Sequence, residues 1–76
     1  MKGVASVVGR FAAQELAIRR AYAADPEFRE ICDEFADAAC ALARWCGHEE
    51  KAADYRQIVS ELEEEITEYL AERYPP

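Results

Sequence analysis
Glycine and proline are scarce in this 76-residue chain, three of each, histidine occurs once and asparagine not at all. Three scattered glycines build no nest for a phosphate group. His48 has no second histidine or asparagine to orient it, so a cysteine nucleophile would lack a partnered base. Cysteine is present in an odd number, Cys32, Cys40 and Cys46, which cannot be closed in pairs within one chain. A disulfide framework is therefore disfavoured and a reducing, cytoplasmic setting expected. No secretory pattern opens the chain, because Ala and Ser interrupt Val4 to Val8 and Gly9-Arg10 ends the apolar run early. Nor does any stretch approach the roughly 20 apolar residues that cross a bilayer.

What is present is the material of a helical globular protein. Hydrophobic residues make up 51% and charged ones 33%, enough apolar surface to exclude disorder. The net charge is −7, unevenly spread. Residues 1–24 hold Lys2, Arg10, Arg19 and Arg20 against Glu15 alone, a balance of +3 that leaves −10 for the rest. An acidic body repels the phosphate backbone, so nucleic acid is not expected as a partner. Four basic residues on a weak apolar face also fall short of a membrane-surface helix.

Asp25-Pro26-Glu27 sets a capping carboxylate, a φ-fixed first-turn residue and a dipole-matching acid in the order of a helix start. The spacing predicts a helix over 25–46, with Arg44 suiting its negative end and Gly47 closing the last turn in a left-handed conformation. Phe28, Ile31, Phe35, Ala38, Leu42 and Trp45 recur at three- and four-residue steps along it, the seam of a helix paired along its length. A second helix is expected over 49–74, although Gly47-His48 offers no strong cap and Asp54 is a rival start. Its seam runs through Ala52, Tyr55, Val59, Leu62, Ile66 and Tyr69. The short connection predicts an antiparallel two-helix hairpin.

Residues 1–24 carry a shorter N-terminal helix, about Val7 to Ala23, with Phe11, Ile18 and Tyr22 near one face and Gly3 and Gly9 leaving the first residues loose. Ile58 and Leu70 widen the apolar stripe of the second hairpin helix beyond what one seam covers. That stripe must meet the N-terminal segment or another subunit. The expected fold class is all-α, one small helical domain over 1–76 completed into a helical bundle by self-association.

No catalytic, cofactor-binding or metal-binding residue is assigned. Cys40, Cys46 and His48 have ligand chemistry without the paired spacing of a structural zinc site, so small buried thiols and a solvent-facing loop histidine are the better reading. Glu30, Glu34 and Asp37 share one face at i, i+4 and i+7, while Glu61, Glu64, Glu65 and Glu68 cluster on the other helix. A di-iron bundle would add Glu-x-x-His pairs, which are absent. These acids read as solvated faces, or as a dock for a basic partner such as Arg19 and Arg20 of a neighbouring subunit.

Asp25 to Arg29, Phe35, Leu42 to Trp45, Tyr55-Arg56 and Glu61 to Ile66 together resemble small bacterial helical-hairpin proteins, the YdcH-like group among them, over about residues 25 to 70. The resemblance implies a helix–turn–helix coiled coil and carries no activity or site residues; the N-terminal helix is an addition to that pattern. The chain is therefore expected to be a non-enzymatic protein–protein interaction module, a homo-oligomer with a dimer favoured, that holds another cytosolic protein. The alternative is a metal- or redox-linked helical protein using its cysteines or carboxylate faces.

Overall fold
A computed structural model of the chain describes residues 2–74. Among them are four α-helices and no strand: α1 (Lys2–Arg10), α2 (Glu15–Ala24), α3 (Pro26–Arg44) and α4 (Glu49–Arg73), with a 3₁₀ turn at Ala12–Gln14. The all-α expectation is met. The start of α3 follows the residues that predict it. Asp25 is extended at φ −121° and ψ 109°, and its carboxylate accepts the Glu27 N–H at 2.9 Å ahead of Pro26 in the first turn.

The end of α3 departs from expectation. The helix stops at Arg44, and Cys46 lies in the turn beyond it. No described glycine has a positive φ, so Gly47 does not close the helix in a left-handed conformation. The Trp45 N–H instead donates to the Ala41 carbonyl at 2.9 Å, and the Trp45 carbonyl accepts the His48 N–H at 2.9 Å. A tight right-handed turn does the work, leaving Gly47 exposed. His48 then caps α4: it is extended at φ −114° and ψ 101°, and its Nδ1 accepts the Lys51 N–H at 3.4 Å, long for such a bond. A histidine acceptor is an uncommon cap, which is why α4 starts at Glu49 where the sequence offered no strong signal. Trp45 lines the same corner, with the His48 ring edge-on at 5.8 Å and the Lys51 ammonium 4.6 Å from its centroid.

The N-terminal segment also differs from the single helix expected over 1–24. It is already helical from Lys2 and breaks at Phe11, whose φ of −123° and ψ of 53° leave the helical region. Gly9 weakens the helix just before the break. Unbroken, these residues would form a rod of roughly 34 Å at about 1.5 Å per residue. Folded at Phe11, α1 and α2 touch each other and both reach α3. Arg10 at this corner pairs with Glu63 of α4.

All four helices feed one hydrophobic cluster: Val4 and Val7, Ile18 and Tyr22, Phe28, Cys32 and Phe35, and Leu62, Ile66 and Leu70. The expected seam between α3 and α4 is densest at one end, where Phe28 stacks on Tyr69 with ring centroids 4.4 Å apart. The beginning of α3 therefore lies against the end of α4. Towards the turn the seam thins, and Leu42, Trp45 and Tyr55 are half-buried. The N-terminal helices lie along one flank of this pair. Tyr22 of α2 donates its hydroxyl to Asp33 at 2.9 Å. Gly3 of α1 comes so close that a Cβ there would sit 2.9 Å from the Asp33 nitrogen and 3.0 Å from the Cys32 carbonyl carbon.

That contact gives Gly3 a packing role. Alanine would raise helix propensity by about 1 kcal/mol, but crowding a closed backbone contact costs about 1–3 kcal/mol. Gly3→Ala is expected to lower the thermal midpoint, whereas Gly9→Ala, where a Cβ meets nothing within 4 Å, is expected to raise it. Differential scanning calorimetry of the two variants reads the opposite signs.

Candidate docking groove
On the α3 wheel, at about 100° per residue, Cys32 and Ala36 point to the N-terminal flank and Phe28 and Phe35 to the seam. Glu34, Asp37 and Ala41 fall on the flank beyond. There α3 and α4 enclose an open groove of about 600 Å³. Its apolar surface comes from Ala38, Ala41, Tyr55, Ile58 and Leu62, and its rim from Glu34, Asp37, Glu61 and Glu65. No residue of α1 or α2 lines it. The alanines make the depression, because a bare Cβ leaves room where a larger side chain would fill the seam. Ile58 stays 41% exposed on its wall.

Two acid runs that look like separate solvated faces in sequence thus meet across one apolar surface. Glu34 and Asp37 face Glu61 and Glu65, while Glu30 lies outside the groove and Glu64 and Glu68 line a second hollow of about 410 Å³ with Arg10, Phe11 and Glu63. In that second hollow the Arg10–Glu63 pair offsets part of the charge. In the first, Glu61 accepts a hydrogen bond from Gln57 at 3.1 Å. Among the described residues no Lys or Arg forms an ion pair with Glu34, Glu61 or Glu65. Facing carboxylates repel one another, and an arriving cation would relieve that repulsion.

A second polar arrangement fastens the joint between α2 and α3 to the end of α4. Tyr69 donates its hydroxyl to Asp25 at 2.6 Å, and Arg73 lies 4.0 Å from the same carboxylate and 5.0 Å from the Tyr69 ring. The Tyr69 hydrogen bond is the main cause holding Asp25 below its ordinary 3.8, assisted by the Glu27 and Phe28 N–H groups and Arg73 and opposed by burial. Burial, then donation to Asp25, pushes Tyr69 up to about 12. The sequence marked Asp25 as a cap and Tyr69 as core; their pairing over 44 residues had no local signal.

The residues with ligand chemistry do not gather. Cys40 and Cys46 are exposed near the turn rather than buried as expected, because Cys40 falls on the outer face of α3 and Cys46 lies beyond its end, and His48 is exposed beside them. Among the described residues no group of three or more His, Cys, Asp or Glu is placed to hold a metal ion. Cys32 is fully buried, and burial together with the Asp33 charge pushes its thiol up to about 12. Among the described residues no helix is long and apolar enough to cross a membrane. Compared with known protein families, curated proteins and solved structures, the chain matches none.

Two outcomes are expected. Because the thiolate is the reactive form, Ellman's reagent should titrate Cys40 and Cys46 rapidly and Cys32 only after denaturation; three fast thiols would contradict its burial. For the joint, Asp25's depressed value supports stability above the ordinary carboxylate range and loses it as pH falls through the folded value. Tyr69's raised value supports stability below about 10 and loses it as pH rises towards 12. Tyr69→Phe should therefore flatten the alkaline limb of a urea-midpoint profile and move the acid limb upward. An unchanged profile would mean the bond contributes nothing.

Proposed function
We propose that the protein is a non-enzymatic protein–protein interaction module. In this reading α3 and α4 form an antiparallel hairpin, α1 and α2 cover one of its flanks, and the groove on the other flank accepts a helix from a second copy, completing a homo-oligomeric bundle. The observation that carries it is the groove itself, where an apolar strip with an exposed isoleucine is framed by carboxylates of both helices. Such a surface suits an amphipathic helix with apolar residues along its centre and cations at its edges. The resemblance of residues 25 to 70 to YdcH-like helical hairpins supports the same architecture. No described arrangement favours the metal- or redox-linked alternative over this one.

Concentration-dependent mass tests the reading. Native mass spectrometry and sedimentation velocity of the full chain in reducing buffer should give an oligomer that dissociates on dilution. Ile58→Lys changes an exposed position, so helicity should persist while association weakens by at least about tenfold, the loss of a central interface contact. A chain monomeric at every concentration, or an oligomer indifferent to Ile58→Lys, would contradict the docking role of the groove.

A further inference from the structure
We infer that the helix occupying the groove is α2 of the second copy, presented by its outer face; this rests on the docking reading above and names the surface that docks. On α2, Ile18, Ala21 and Tyr22 are buried. Leu16, Arg19, Arg20 and Ala23 lie on the opposite side of the wheel and are exposed. Leu16 is 65% exposed, and with Ile58 it makes up the large exposed hydrophobics of the described residues. One of the pair stands on a basic helix face and the other in an acidic groove. Arg20 forms no ion pair among the described residues, and Arg19 reaches only Glu15, one turn back, at 2.8 Å.

Charge and length agree with this pairing. The cations of α2 belong to the one segment of the chain with net positive charge, and the groove rim brings three acids without an intrachain ion pair among the described residues, Glu34, Glu61 and Glu65. Ten residues of α2 span about 15 Å, close to the stretch of α4 from Tyr55 to Glu65 that lines the groove. Within one chain α2 is held on α3 by Tyr22 and Asp33 on the other flank, so it meets a groove only in a neighbour. Leu16 would lie against Ile58 and the alanines, with Arg20 and Arg19 between the carboxylates. Two different surfaces then meet, a heterologous contact, and because they stand on opposite flanks of the α3–α4 pair they join copies head to tail, into a ring or an open chain.

Heterologous pairing is tested by complementation. Leu16→Asp/Arg20→Glu removes the α2 face and Ile58→Lys removes the groove, both at exposed sites. Each variant alone is expected to lose association by at least about tenfold, with far-UV circular dichroism unchanged. An equimolar mixture is expected to form a one-to-one heterodimer in native mass spectrometry, since it retains one intact α2 face and one intact groove. Wild-type association should also weaken in 1 M salt, where screening acts within about 3 Å. Arg20→Glu alone carries the same sign should the double variant lose helicity. If the α2 variants associate like wild type while Ile58→Lys does not, grooves meet grooves and this inference fails while the docking reading stands. If the mixture stays monomeric, the pairing of the two surfaces is refuted. A wild type monomeric at all concentrations removes both.

Discussion
The width of the apolar surface on the α3–α4 pair is the constraint from which the rest of the structure follows. Two helices in contact bury one seam and leave two flanks, and here both flanks carry apolar residues. Cys32 and Ala36 are buried on the flank of the N-terminal helices, whereas Ala41 and Ile58 lie at the groove. A chain of 76 residues has little core to spare. Its first 24 residues suffice for one flank only, and only by folding at Phe11 so that α1 and α2 both reach α3. The uncovered flank is the groove.

Polar contacts then fix how the covering helices are held. Asp25 works twice, as the cap that starts α3 and as the acceptor for Tyr69, so the joint that aims α2 is tied to the far end of α4. Asp33 does the same for α2 through Tyr22, and the bare Gly3 lets α1 approach closely beside it. Arg29 closes this corner by donating to the Tyr22 and Ala23 carbonyls at the end of α2, at 3.1 and 3.2 Å. The positive N-terminal segment is thus held on one flank while Glu34, Asp37, Glu61 and Glu65 converge on the other.

Much of the helical architecture was legible because its signals are local. Asp25-Pro26-Glu27 marks the start of α3, and the stops at Arg44 and Arg73 lie within two residues of those expected. The heptad positions Phe28, Phe35, Leu62 and Ile66 name the buried seam. What the sequence concealed depends on tertiary context. Phe11 breaks a helix whose composition favours continuity, since α1 and α2 gain more by packing on α3 than by stacking end to end. His48 caps α4 only because the turn presents its Nδ1, and the turn closes without a left-handed Gly47. The acid runs were visible one helix at a time. Their meeting over Ala38 and Ala41 needed the pairing of α3 with α4.

The central claim is that the flank left open by the N-terminal helices is a docking surface for another copy. A dilution series of two-dimensional ¹H–¹⁵N spectra of the uniformly labelled chain tests it at residue level. The account predicts concentration-dependent shifts confined to two patches, Ala38, Ala41, Ile58 and Glu61 along the groove and Leu16 and Arg20 on α2, with the buried Val7 and Ile66 unmoved. Spectra that do not change with concentration, or shifts that map elsewhere on the surface, would contradict it.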